Sequence, residues 1–156
     1  MTTPLFGFTP EEIDTASPTR TARLKWVVVV NDALPAGRAV NAAVCVAAAT
    51  GPAVAGLLGP HAVDADGTFH PGLPWAGCTI LGASSERLAA IRAKAASSEG
   101  VLVCDMPSDA QLTRVYDEYL ENVARKNADE LEYYAVGIVG PRNRVDRIIG
   151  GLPLLP

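Results

Sequence analysis

Leu24-Lys25-Trp26-Val27-Val28-Val29-Val30-Asn31-Asp32-Ala33-Leu34-Pro35-Ala36-Gly37-Arg38-Ala39-Val40-Asn41, with the alanine-rich run behind it to Thr50, is the stretch whose reading decides the fold. Four consecutive valines after Lys25-Trp26 do not alternate apolar with polar, so they predict a strand over about 25–31 buried on both faces. Asn31-Asp32 and Leu34-Pro35-Ala36-Gly37 then supply turn chemistry, because Asn and Asp bond their own backbone while Pro and Gly interrupt regular pairing. A small-residue helix is expected over about 37–50, stopped by Gly51-Pro52. Val40, Ala43, Val44, Val46 and Ala47 make it apolar on nearly every side. The sheet therefore covers one side and something else the other, a second protomer being the obvious candidate. Strand, loop and helix in this order put Arg38 and Asn41 where open α/β sheets hold their ligands.

Downstream, residues 51–76 lack strong periodicity, and Asp64-Ala65-Asp66-Gly67 before Thr68-Phe69-His70 suggests a turn or small hairpin. Cys78 to Leu81 reads as a second strand, and Ser84 as the N-cap of a helix to about 98 with Leu88, Ile91 and Ala95 inward. Val101 to Cys104 is a third strand ending on Asp105. Met106-Pro107-Ser108-Asp109 then opens the longest helix, about 20 residues over 107–128, with Pro107 near its first position. Leu112, Val115, Tyr116, Tyr119, Leu120 and Val123 give it an apolar stripe. Tyr133 to Val139 is the fourth strand, and Pro141 to Ile149 a short helix stopped by Gly150-Gly151. Strands alternating with helices predict an α/β layered domain over 24–156, preceded by an irregular Thr- and Pro-rich arm over 1–23 that Phe6, Phe8 and Ile13 can anchor.

At 156 residues with 49% hydrophobic and 19% charged side chains, the chain can bury a substantial single core. A net charge of −4 gives no general attraction for nucleic acid, so any phosphate partner must be met by a local basic patch. Cysteines 45, 78 and 104 form no Cys-x-x-Cys pair, and reduced, mostly buried thiols in a cytoplasmic protein are expected. The first residues lack a basic region followed by an apolar one, and no apolar run approaches the ~20 residues of a membrane span, so no membrane partner is expected.

The residues that can carry chemistry cluster at strand ends. Asp105 either caps the helix behind it or turns a carboxylate into the cleft to polarise water. Asn31 and Asp32 either form an Asx turn or line the same edge. Arg38 stands near a helix start, where the dipole disfavours a cation. It is either solvated or drawn there by Asp105, Asp32 or an anionic ligand. Asn41, one turn on, can offer its amide to the same cavity, and His70, near Trp75, can border a pocket. His61 and His70 with Asp64 and Asp66 match no compact ligand spacing, so no metal and no cofactor are expected. Arg142, Arg144 and Arg147 gather in the last helix as either a phosphate contact or a solvated face.

Ala36-Gly37-Arg38-Ala39-Val40-Asn41-Ala42-Ala43-Val44-Cys45 resembles the Met-Gly-Lys-Gly-Lys-x-Ala-Ala-Gln-Cys motif of the class 2 (archaeal and eukaryotic type) peptidyl-tRNA hydrolases. Gly37, Ala42, Ala43 and Cys45 match and Arg38 keeps a positive charge. Val40, Val44 and Ala47 replace a lysine, a glutamine and a histidine. Asp105 matches an active-site aspartate of those enzymes, but the Thr-Gln pair after it has no counterpart. A closer similarity is to a bacterial family of unknown function with a peptidyl-tRNA hydrolase-like fold. It shares the Lys-Trp-Val-Val-Val-Val…Pro-x-Gly-Arg-Ala-Val-Asn-Ala-Ala signature and the ending Gly140-Pro141-Arg142…Gly151-Leu152-Pro153-Leu154-Leu155.

The resemblance implies an α/β sandwich with a four-stranded mixed sheet flanked by helices, and a homodimer. It also implies a hydrolase of an acyl ester or amide on an aminoacyl or peptidyl carrier. Asp105 would activate water while Arg38 and Asn41 orient substrate, with Asn31, Asp32 and His70 nearby; tRNA as the carrier is not favoured by the net charge. The alternative is a small-molecule-binding or interaction domain that kept the scaffold without the chemistry, since fold alone does not fix function.

Overall fold

A computed structural model describes residues 5–156; residues 1–4, the start of the expected arm, lie outside the described residues. Eleven helices and strands build the domain: β1 (Leu24–Asn31), α1 (Ala36–Thr50), β2 (Ala62–Val63), β3 (Phe69–His70), β4 (Thr79–Ala83), α2 (Ser85–Ala96), β5 (Leu102–Pro107), α3 (Asp109–Leu112), α4 (Tyr116–Ala124), β6 (Tyr133–Pro141) and α5 (Arg142–Ile149). Four strands form one mixed sheet in the order β4-β1-β6-β5. β1 pairs parallel with β4 and antiparallel with β6, and β5 pairs antiparallel with β6. Thus β1, β4 and β5 point one way and β6 runs against them.

The valine run explains why β1 is central. Val27 to Val30 are each 0–1% exposed, because Val28 and Val30 face α1 while Val27 and Val29 face α2 and α5. Each such side chain contributes roughly 1.5–3 kcal/mol of transfer free energy. On the α1 side, Ala39, Ala42 and Val46 pack on Trp26, Val28 and Val30. On the other, Leu88, Ile91 and Ala95 of α2 join Val145, Ile148 and Ile149 of α5. The result is a three-layer α/β/α sandwich. The outward valines of α1, Val40 and Val44, stay 60% and 59% exposed in the single chain.

α1 lies close to the sheet because β6 carries Gly137 beneath it. A Cβ at Gly137 would stand 2.5 Å from Cγ1 of Val46 and 3.2 Å from the Cys104 carbonyl oxygen. At the free edge of β4 the C-terminal segment adds backbone bonds, from Gly82 N–H to the Pro153 carbonyl and from Leu155 N–H to that of Ile80. Among the described residues no helix is long and apolar enough to cross a membrane.

One expected element is different. The single helix over 107–128 is replaced by the last residue of β5, the one-turn α3, and α4, with Thr113 and Val115 extended between them. Both are β-branched, which disfavours helix, and the Thr113 hydroxyl donates to the Asp109 carbonyl at 2.9 Å to close the first turn. The break lets Lys126 Nζ reach Asp109 Oδ1 at 2.9 Å. In a continuous helix those residues would stand about 25 Å apart at 1.5 Å per residue. The apolar stripe is accordingly split, and Leu112, Val115, Tyr116 and Leu120 remain exposed. The longest helix is α1.

The arm is clamped at its base. Phe8 N–H donates to the Ala55 carbonyl and Ala55 N–H to that of Phe6, both at 2.8 Å, and the Phe8 ring packs on Trp75 with centroids 4.8 Å apart. Arg23 closes the clamp, donating to the Glu12 carboxylate and to the Gly7 carbonyl. The Arg23 guanidinium, and then the Thr9 N–H, hold the Glu12 carboxyl down at about 2. This value lies below the ordinary 4.5, so the clamp is fully present above about pH 4.5 and is lost as pH falls through about 2. The pair is solvent-accessible, so its effect stays below about 1 kcal/mol. Hydrogen exchange at the Phe8 and Ala55 amides, corrected for intrinsic rates, should accelerate across that window. In Glu12→Gln it should be fast and flat throughout; a variant that kept the wild-type profile would remove Glu12 as the cause.

Candidate functional site

A cleft of about 580 Å³ runs between the outer side of α1, the edge of β5 and the α3–α4 segment. α1 supplies Asn41 and Cys45, β5 supplies Asp105 and Met106, and α4 supplies Tyr116 and Tyr119. The α1 side is otherwise small and apolar, with Ala48 and Ala49 forming the floor. The two tyrosine rings meet edge to face, 5.5 Å between centroids. Burial pushes the Tyr119 phenol upward, aided by Tyr116, Asp105 and Asp109, so it stays a neutral hydrogen-bond donor at pH 7. A second recess of about 320 Å³ adjoins this cleft through Asn41 and Ala110, and Gly37, Arg38 and Gln111 complete it.

Gln111 joins the two. Its Nε2 donates to the Arg38 carbonyl at 2.9 Å and to Asn41 Oδ1 at 3.1 Å. With Oδ1 accepting, Asn41 keeps its NH₂ free to donate, and the Arg38 guanidinium makes no ion pair among the described residues. The Asn41 amide thus stands where the aromatic cleft meets the recess that Arg38 borders.

Asp105 lies within β5 instead of capping the helix after it. Its Oδ2 accepts from Arg92 Nε of α2 at 3.0 Å, and the Arg92 guanidinium lies 5.5 Å from the Tyr133 ring centroid. The carboxylate is therefore matched by Arg92, not by Arg38. Asn31 is 3% exposed and its amide is fully engaged in structure. Oδ1 accepts the Ala33 N–H at 3.0 Å, and Nδ2 donates to Ser85 Oγ, which donates in turn to Glu132. That is an Asx turn on the α2 side of the sheet. Asp32 is exposed in the turn after β1. His70 sits on the β2–β3 hairpin, where its Nε2 lies 3.1 Å from Asp64 Oδ2, and it does not border the cleft. Asn41 and Asp105 line the cleft, Arg38 borders only the adjoining recess, and Asn31, Asp32 and His70 line neither.

Against the expectation of mostly buried thiols, Cys45 is exposed and lines the cleft, Cys78 is exposed and Cys104 is half-buried. Among the described residues no three His, Cys, Asp or Glu side chains gather as a metal site. Sequence reasoning does not find Gln111, Tyr116 or Tyr119 as site residues. The tyrosines do carry a signal, an i, i+3 aromatic pair beside Arg114, which helical spacing assigns to a core stripe instead. Nothing local marks Gln111, whose partners lie 70 and 73 positions away.

No curated protein matches the chain. A solved structure of a protein of unknown function, Atu0240, from Agrobacterium tumefaciens str. C58 superposes with a TM-score of 0.78 at 15% identity, covering 85% of this chain and 97% of that one. At that identity the likeness shows a shared fold. The family of proteins of unknown function DUF2000 matches over residues 24–156, from the first strand through the C-terminal segment, and the chain belongs to it.

Proposed function

We propose that the protein binds a small ligand in the groove along α1. An apolar or aromatic body would lie against Tyr116, Tyr119 and Ala48, with a carbonyl or carboxylate head at Asn41 and Arg38. The observation that carries this is the placement of a free amide NH₂ on a mainly apolar cleft, where it adjoins a recess bordered by Arg38, which makes no ion pair among the described residues. Concave, mostly apolar sites with a few convergent polar groups are the usual form of small-molecule sites. N-acetylphenylalanine has such a body and head. It is expected to shift backbone amide resonances of α1 and α4 in the full chain. Asn41→Ala and Tyr119→Ala should each weaken binding about tenfold, the equivalent of ~1.4 kcal/mol. Binding that ignores both substitutions would move the ligand elsewhere.

A second reading, hydrolysis of an acyl ester or amide on an aminoacyl or peptidyl carrier, is supported by Asp105 standing in the same cleft with Oδ1 unbonded among the described residues. It is also supported by the likeness of the α1 motif to the class 2 peptidyl-tRNA hydrolases. Arg92 counts against it, because it already engages the other carboxylate oxygen. Release of an N-acyl-aminoacyl group from tRNA, abolished by Asp105→Asn with N-acetylphenylalanine binding retained, would establish hydrolysis. Binding without turnover would leave the non-catalytic reading in place.

A further inference from the structure

On the other layer of the sandwich, a recess of about 430 Å³ opens between the C-terminal end of α2 and α5. Lys94, Arg144 and Arg147 border it, with Ser98, Glu99 and Ile148. The ion pairs among the described residues involve Arg23, Lys25, His70, Arg92, Arg125 and Lys126, so none of the three cations has a carboxylate partner. They are held by backbone carbonyls instead. Lys94 Nζ donates to the Arg147 carbonyl at 3.1 Å, Arg147 Nε to that of Asn143 at 3.3 Å, and Arg144 Nη1 to that of Glu99.

A helix C-terminus attracts a cation, and one would satisfy that preference. Three around one recess exceed it, in a chain whose net charge is −4. Each is tethered through a single N–H, so Lys94 keeps two donors and each guanidinium keeps four. The backbone accommodates this arrangement. Gly100 has φ +73, and a Cβ there would stand 3.3 Å from Arg144 Nη1, so glycine leaves the space that guanidinium uses. The Glu99 carboxylate on the rim offsets one of the three charges, leaving a net charge near +2.

We propose that this recess is an anion site for a small phosphate-bearing molecule of diphosphate size. Guanidinium forks match tetrahedral oxyanions two oxygens at a time, and a multiply charged anion balances a +2 cradle where a single carboxylate would not. The recess lies across the sheet from the α1 groove and shares no lining residue with it, so this proposal does not rest on the ligand proposed there.

The test is an amide-resonance titration of the full chain with sodium pyrophosphate at low salt, beside sodium sulfate at matched ionic strength. Saturable shifts confined to residues 94–100 and 143–148 are expected, weaker with sulfate and lost as salt rises. Lys94→Met and Arg147→Met, each at the solvent side of the recess, should weaken binding at least tenfold. Because the mapping uses the unmodified protein, it stands even where a variant folds poorly. Absence of saturable shifts, equal response to sulfate and pyrophosphate (an adventitious ion only), or undiminished binding by both variants would overturn the proposal. So would a short single-stranded RNA that shifts these residues when pyrophosphate does not, since that describes an extended nucleic-acid surface.

Discussion

Gly137→Ala is expected to destabilise the protein by about 2–3 kcal/mol, within the range found when a methyl is forced into a filled core. The added Cβ meets Cγ1 of Val46 at 2.5 Å, a distance no pair of non-bonded carbon atoms tolerates. Val46 is 1% exposed and, as a valine in a helix, holds essentially one χ1 rotamer, so it cannot swing aside. The Cys104 carbonyl oxygen at 3.2 Å blocks the other side with backbone. The remaining relief is for α1 to lift off the sheet, which loosens Ala39 and Ala42 and moves Asn41 and Cys45 in the cleft. For a domain of this size the loss corresponds to a fall of roughly 4–12 °C in melting temperature. Urea denaturation of Gly137→Ala, Val46→Ala and the double variant measures it. The double variant should cost at least about 1 kcal/mol less than the sum, because removing the Cγ methyls of Val46 opens the space that the new methyl on β6 would need. Simple additivity would mean that α1 and β6 do not collide at this point.

Lys126→Met should have the next largest effect, about 1–3 kcal/mol. The Asp109 side chain is 7% exposed and Lys126 touches both its oxygens, at 2.9 and 3.2 Å. Removing the ammonium leaves a buried carboxylate without its counter-ion, and breaking a fully buried pair costs about 3–5 kcal/mol. The lower figure applies because Lys126 is itself 40% exposed. The local consequence should exceed the global one. This ion pair folds α4 back over α3, so hydrogen exchange at residues 109–126 should accelerate before the sheet is affected. Lys126→Met combined with Asp109→Asn should recover much of the loss, since the amide carries no charge to strand. Unchanged exchange across 109–126 in Lys126→Met would show that the segment is held by its apolar contacts alone.

What can be read from the sequence follows from how local each signal is. Val27-Val28-Val29-Val30 is legible because burial on both faces erases the alternation of a half-exposed strand, and both neighbours of β1 prove to be strands. The Ser84 cap is legible because its Oγ accepts from Arg87 N–H only three residues away. The segment after β5 misleads for an equally physical reason. Helical spacing of Leu112, Val115, Tyr116 and Tyr119 counts apolar side chains without knowing whether a surface exists to receive them. Here the fold-back held by Asp109 and Lys126 leaves most of them facing solvent. At the site, Arg38 and Asn41 are legible from their place after a buried strand. Arg92 as the partner of Asp105 is not, because a salt bridge from a helix to a neighbouring strand leaves no spacing to recognise.

The central pairing of the sheet also sets the order in which this chain can be made. Val27 faces Ile138 across the β1–β6 ladder, so the innermost strand waits for a partner synthesised more than one hundred residues later. Among the described residues β5 has no neighbour in the sheet other than β6. A nascent chain therefore leaves the ribosome with β1 paired only to the parallel β4 and covered by α1 and α2, its other edge open, and loop closure over such a span precedes any reward. Until β6 emerges, the open edge of the valine strand is the surface that a chaperone would see.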